Sequence, residues 1–571
     1  MQKTWGLLIH VLFVFTPFGN NPLELFNNGE WEARGGSIQQ PLYYPYLCNS
    51  KTGPISFPVK IDKSPTNEAV VINDGGTLKI FYINRPGNAD SVMVLRKTKT
   101  GWGEPEGAFQ LPGQAYYALQ VVKSENENLV CVFHLFGEGD QGYRGRHLDL
   151  WVNRRVNNKW GTPFKILEGY VGSIRGLQKL KSGRLLLSVG KAVTEREAKP
   201  SKNEIDFGWN SIHTMYSDDG GASWVSSSDE LKIEIDNSKV TRYGAIEPEI
   251  IERQDGSVWM LIRTTHGRLY QSISWDQGET WADPEATEFI SSDSPACLLR
   301  LKDGRMVIFW NSCQRWDNPQ SYAIGGREVL HAAISSDDGL SWEGFREVAQ
   351  SPELETSQGD RGTAYPSAEE MENGNILLVT GQGKGKGIYE IDPNWLEAKT
   401  QNFVINDFGD LNQVNGTQVQ GVEQLVFGVH YPKLNSTGEW VTNFPMATEG
   451  ILKVEIFPGK DFESVTFALT DHFSISADSM ASCHAVFSYK VQKSEIEHHL
   501  SGNSDLKFEL KWRLGNSGES KLEVSVNNRT IGIIKMRRYP EIGLNYLRIG
   551  MQAAGSTRPR VRSIAFEKNN E

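Results

Sequence analysis

The chain has 571 residues, room for two or three domains with substantial cores, and its 39% hydrophobic and 23% charged residues are ordinary for a soluble protein. A formal net charge of -11 argues against nucleic acid or an anionic membrane as a partner, so a site for an anion must gather arginines against the global field. Met1 to about Gly19 places one lysine ahead of an apolar run too short to span a bilayer comfortably. That predicts a signal peptide over residues 1–20 and a secreted or periplasmic protein, with a membrane-tethered N-terminus as the alternative. Residues 21–60 are rich in Pro, Gly, Asn and Tyr without a long period. They read as a lead-in that can also complete the last unit of the repeat beyond them.

From about residue 61 that repeat sets in. Its fullest form is Gly244 to Trp281, where the β-type runs EPEIIE, SVWMLIR and RLYQSIS are separated by Gly and Asp turns. Such runs predict antiparallel strands joined by hairpins. The stretch closes on Ser274-Trp275-Asp276-Gln277-Gly278-Glu279-Thr280-Trp281. In this S-x-D-x-G-x-T-W box the Asp suits bonding to its own turn, the Gly supplies a positive φ and the Trp packs the hairpin on its neighbour. The box recurs from Ser217 to Trp224 and from Ser335 to Trp342, and only hairpin and Trp survive in Lys99-Thr100-Gly101-Trp102 and Asn157-Asn158-Lys159-Trp160. The five tryptophans stand 57 to 64 residues apart, and a Gly turn leading into an apolar run precedes most of them. Four-strand content at this period predicts a β-propeller with elaborated loops. Counting the last unit, from Tyr365 to about Trp395, gives six blades over residues 61–398. Long polar insertions, FGEGDQGYRGRHLD in the second unit and TEREAKPSKNEIDFGWN in the third, are expected to build the rim of a binding face.

Beyond about residue 399 the boxes stop while alternation continues in SVTFALT, HAVFSYKV, LKFELKWRL, KLEVSVN, TIGIIKM, NYLRIGM and RVRSIAF. Residues 399–571 therefore predict an antiparallel β-sandwich, a lectin-like jelly roll, and the whole chain reads as all-β. Five cysteines (Cys48, Cys131, Cys297, Cys313, Cys483) lack metal-like spacing, and their odd count leaves at least one free thiol. Asn415, Asn435 and Asn528 open glycosylation sequons, which matter only in a eukaryotic secretory pathway. No motif implies a metal or organic cofactor.

Several polar and aromatic residues stand at fixed distances from the boxes. Glu247 precedes Arg263 by sixteen residues, with the Asp255-Gly256 turn between them, and Arg327 precedes Ser335 by eight. Ala364-Tyr365-Pro366-Ser367 opens the last unit ahead of Asn373-Gly374 and ILLV. With the boxes, these residues resemble the sialidase (neuraminidase) superfamily over roughly residues 65–395. The resemblance implies a six-bladed propeller that removes a terminal acidic sugar, sialic acid first, from a glycan by retention through a tyrosyl-glycosyl intermediate. It implies Tyr365 as nucleophile, Glu247 as the base that takes its proton and Asp90 as general acid. Arg263 and Arg327 would bind the substrate, with Arg85 as a secondary arginine of the first blade. A sialoside carries its carboxylate on the anomeric carbon, so a carboxylate nucleophile would approach against like charge, whereas a phenol is neutral until it gives up its proton. Guanidinium forks suit the substrate carboxylate because they bind it bidentately and stay protonated. A separate carboxylic acid would protonate the leaving oxygen.

One departure from the family pattern stands out. Sialidases open the first blade with an arginine in an R-I-P-like motif, and this chain has Ser64-Pro65-Thr66-Asn67-Glu68 there. Arg175, in GSIRGLQKL at the head of the third unit, is a candidate to reach the centre instead. Two alternatives therefore stay open. One is a propeller enzyme acting on a uronic-acid polysaccharide, with His134, His213 and His266 as candidates. The other is a catalytically inactive glycan-binding propeller.

Overall fold

The computed structural model describes residues 58–568 apart from 86–89, 126–127, 138–147, 170–173, 194–208, 234–243, 315–325, 352–361, 405–424, 427–428, 431–438, 501–504, 516–518 and 556–558. The expected signal peptide, most of the lead-in, the bulk of both long insertions, Cys48, Asn415 and Asn435 lie outside the described residues. The described chain is all-β. Its α-helices are single turns, Pro393–Leu396 and Lys493–Ile496, and none of its helices is long and apolar enough to cross a membrane.

Six antiparallel sheets follow one another along the chain, each a meander with strands paired in chain order. The fourth is typical, with Ile246–Glu252, Val258–Arg263, Arg268–Ser274 and Glu285–Ile290. The sixth takes three strands from its own stretch, Ser367–Glu370, Ile376–Thr380 and Gly387–Ile391, and a fourth, Val59–Asp62, from ahead of the first sheet. Val59 lies opposite Glu390 and Lys60 opposite Tyr389. The first strands of the sheets are Val70–Asp74, Ala115–Lys123, Gly176–Lys179, Ile246–Glu252, Cys297–Arg300 and Ser367–Glu370. They touch one another in that order, and the last returns to the first. A closed ring of meanders is a β-propeller.

The apolar core is divided among the gaps between neighbouring sheets. In the strand Val258–Arg263 every residue is buried, because the two faces serve different cores. Val258, Met260 and Ile262 pack towards the third sheet with Leu186 and Ile212. Trp259 and Leu261 pack towards the fifth with Leu298, Met306 and Ile308. Side chains of a strand alternate between faces, so a strand covered on both faces reads as an unbroken apolar run.

The boxes act as staples across these gaps. Asp276 accepts from Thr280 Oγ1 at 2.5 Å, from the backbone N–H of Thr280 at 2.9 Å and from Ser274 Oγ at 2.8 Å. Gly278 has φ 89°, and a Cβ there would meet Leu186 of the third sheet at 2.4 Å. Trp281 then donates to Thr214 Oγ1 of the third sheet at 3.0 Å.

Beyond the ring, two six-stranded antiparallel sheets share one core, with Trp440, Phe444 and Phe467 from one and Leu452, Phe508, Trp512 and Phe566 from the other. Each of the seven alternating segments contains a strand. The strand Trp440–Ala447 showed no such pattern because all its residues are buried. One face of it lies on the fifth sheet of the ring, where Asn443 Nδ2 donates to the Phe345 carbonyl at 3.1 Å and Asn443 Oδ1 accepts from the Glu347 N–H at 3.1 Å. Cys131, Cys297 and Cys313 are buried and Cys483 is exposed.

Candidate active site

In a ring of meanders every first strand starts at the same end, so residues at the heads of these strands converge on one mouth. Glu247 is the second residue of its strand, and the register with the neighbouring strand shifts between Ile246 and Glu249. Tyr365 lies two residues before its strand. Each precedes a proline, Pro248 or Pro366, which disfavours the right-handed helical region for it. Both take the left-handed region instead, at φ 50° and 61°. Among the described residues, ten non-glycine residues have positive φ. Asn157, Asn158, Asn527 and Asn528 form hairpin turns, Gln277 and Asp338 sit in boxes, and Phe345 lies beside a register shift. Glu68 lies in the turn just ahead of Val70–Asp74, which leaves Glu247 and Tyr365. Such conformations cost about 1–3 kcal/mol each and collect at functional sites.

The side chains meet. Tyr365 OH donates to Glu247 Oε1 at 3.0 Å and accepts from Arg263 Nη1 at 3.0 Å. Arg263 Nη1 also pairs with Glu247 Oε2, and Arg263 Nε donates to Asp293 Oδ1 at 2.6 Å. Arg327 stands 5.4 Å from the Tyr365 ring centroid, with Nη1 on Gln382 Oε1 at 3.0 Å and Nη2 on the Asp293 carbonyl at 2.9 Å. Arg175 stands 5.9 Å from the same ring and donates to the Pro366 carbonyl. All of these residues are buried. Burial, and next the charge of Glu247, push the Tyr365 phenol well above its ordinary value, while Arg263 and Arg327 pull it down. At rest the pair is therefore a neutral phenol hydrogen-bonded to a carboxylate that is held by a guanidinium, which is how a weak nucleophile is kept beside its base.

Glu247, Arg263, Arg327 and Tyr365 thus form one group, joined by Arg175. Asp90 and Arg85 do not touch it. Asp90 Oδ2 accepts the Ala115 N–H at 2.7 Å and lies 3.9 Å from the Nε of exposed Arg85, whose guanidinium sits 5.9 Å from the Phe136 ring. His134 lies beside Tyr116, His213 3.4 Å from Glu230, and His266 beside Tyr270. Sequence reasoning missed Asp293, Gln382 and the electrostatic influence of Glu68 on Tyr365. Position was the available signal for two of them. Glu68 and Asp293 lie just upstream of first strands, as do Arg175 and Tyr365.

A propeller with a Tyr–Glu–Arg group at its mouth defines a sialidase-like class of protein. The family model for the BNR repeat-like domain matches residues 84–378, and the chain belongs to that family, within the sialidase superfamily. The anhydrosialidase of Macrobdella decora is 34% identical over 118 residues, a match covering 20% of this chain and 14% of that protein, so the chain spans only a small part of that relative. Among solved structures, a protein of unknown function from Dyadobacter fermentans is 18% identical with a TM-score of 0.42, covering 59% of this chain and 99% of that one. The Trypanosoma rangeli sialidase in complex with sialic acid is 12% identical with a TM-score of 0.40, covering 90% of this chain and 92% of that one.

Proposed function

We propose that this six-bladed propeller with a C-terminal β-sandwich is a retaining exo-glycoside hydrolase that removes a terminal acidic sugar, sialic acid first, from glycans. The observation that carries it is the Tyr365 hydroxyl shared between Glu247 and Arg263 at 3.0 Å each. Tyr365 attacks the anomeric carbon while its proton passes to Glu247, and the leaving oxygen takes a proton from a separate acid as its bond to the sugar breaks. Water then attacks the same carbon, and Tyr365 departs with the proton returned by Glu247. Arg263 and Arg327, held in place by Asp293 and Gln382, supply the positive potential that an acidic sugar needs in a chain of net charge -11. Arg175 stands on the ring of Tyr365 and fits the part of the arginine absent from the first blade. An apolar leader over residues 1–20 fits an enzyme working on glycans outside the cell.

The test is release of methylumbelliferone from its sialoside. Tyr365→Phe is expected to lower kcat by about 10³-fold or more, with the melting temperature little changed. A Tyr365→Phe enzyme that keeps its turnover would overturn the assignment. Binding of sialosides without turnover by the wild type would favour the inactive glycan-binding alternative.

A further inference from the structure

The proposed reaction needs a second carboxyl to give the leaving oxygen its proton, and the Tyr365 group does not contain one. Glu247 is committed to the phenol, and Asp293 lies against Arg263. Asp90 is poorly placed for the task. Its Oδ2 is fixed by the Ala115 N–H, and its Oδ1 is sealed from solvent without a hydrogen-bond partner among the described residues. A proton donor must come within hydrogen-bond reach of the glycosidic oxygen.

Glu68 stands where such a donor belongs. It lies two residues before Val70–Asp74, as Tyr365 lies two residues before Ser367–Glu370, and these two strands are neighbours in the ring. Two hydrogen bonds fix the alignment. The Val71 N–H donates to Ser367 Oγ at 3.1 Å, and the Gly383 N–H donates to Asn67 Oδ1 at 3.2 Å, next to the Gln382 that holds Arg327. Glu68 is 3% exposed and left-handed at φ 55°, in the turn over Asn67 and Glu68 that leads into Val70–Asp74. When ionised, its carboxylate raises the Tyr365 phenol further.

We infer that Glu68 is the general acid/base of the reaction, a role resting on the reading of Tyr365 as nucleophile. In the first step the Glu68 carboxyl protonates the glycosidic oxygen as the sugar–oxygen bond breaks and the bond to Tyr365 forms. In the second the Glu68 carboxylate takes a proton from water as water attacks the anomeric carbon and Tyr365 leaves.

The experiment compares wild type, Glu68→Gln, Glu68→Ala and Asp90→Asn on a nitrophenyl sialoside, whose leaving group needs little protonation, and on sialyllactose, whose leaving group needs it. Glu68→Gln is expected to lose about 10²- to 10⁴-fold in kcat/KM on sialyllactose and far less on the nitrophenyl substrate. Azide should restore turnover of the nitrophenyl substrate by Glu68→Ala and give a glycosyl azide of retained configuration. Labelling by a difluorinated sialic acid, read by peptide mass spectrometry, reports on Tyr365 separately, because a fluoride leaves without help from an acid. Wild type and both Glu68 variants should carry the label on Tyr365. No label in the wild type overturns the nucleophile reading and this one with it. A labelled wild type overturns the Glu68 assignment alone if the Glu68 variants lose equally on both substrates without azide rescue, or are not labelled. The Glu68 assignment also fails if the leaving-group signature appears in Asp90→Asn instead.

Discussion

At the scale of single residues, the mouth of the propeller concentrates features a folded chain otherwise avoids: left-handed non-glycine backbone, buried guanidinium groups and buried carboxyls. Each is tolerated because the ring of first strands fixes it from both sides. Glu249, two residues after Glu247, shows the stability consequence. Burial pushes its carboxyl up to about 8, with Arg175 pulling the other way. The folded value lies above the unfolded one of about 4.5, so the folded chain holds the proton more tightly. The stability this gives is complete below the unfolded value and is lost as pH rises through about 8. Glu249→Gln should match the wild-type melting temperature at about pH 4.5 and below and exceed it in mild alkali, where the gain in stability is on the order of a few kcal/mol. Melting curves of the two proteins that run parallel with pH would show that Glu249 is ionised in the fold.

At the scale of elements, the boxes are the most legible and the least functional parts of the repeat. Antiparallel order places the turn between third and fourth strands at the end of the ring opposite the heads of the first strands, so the boxes face away from Tyr365. Their aspartates are held by short local bonds. Partial burial raises the Asp219 carboxyl, but hydrogen bonds from Ser223, Ser217 and Ala222 outweigh it and hold the group down to about 2. Asp276→Ala should cost about 1–2 kcal/mol of stability by removing the bonds that Ser274, Glu279 and Thr280 make to the carboxylate, with kcat/KM unchanged in the folded fraction. Urea unfolding alongside kinetics reads both quantities, and a fall in kcat/KM matching the loss of stability would contradict this separation.

At the scale of the whole molecule, the ring and the two C-terminal sheets are joined by buried polar contacts. His331 Nδ1 accepts the Ser312 N–H at 3.2 Å, which leaves Nε2 to carry the proton facing Tyr546 OH at 2.6 Å. Tyr546 OH in turn donates to Glu347 Oε1 at 2.6 Å. Glu347 and His331 are fully buried, so removing the hydroxyl takes from Glu347 Oε1 a bond that water cannot replace, while Oε2 keeps its bond from Gln350 Nε2 at 2.7 Å. Tyr546→Phe is expected to cost about 2–3 kcal/mol and to lower one melting transition common to both parts. Calorimetry that resolved two independent transitions, with only one shifted, would show that the parts fold separately.

The sequence alone carried the local chemistry: the boxes, the D-G and N-G hairpins, the period near sixty residues, and the pairs Glu247 with Arg263 and Tyr365 with its following strand. These are short-range patterns set by turn geometry and strand alternation. Only the tertiary structure decided which distant residues face each other. Arg175 reaches Tyr365, Asp293 serves Arg263 and Arg327 at once, and Asp90 turns to the second sheet while Glu68 lies just ahead of the strand that neighbours the one after Tyr365. Fully buried strands such as Trp440–Ala447 were hidden for a related reason, since a strand covered on both faces loses the alternation that announces it. Closing the ring brings together residues nearly three hundred positions apart, such as Val71 and Ser367, and no local period encodes which side chains will then share the mouth.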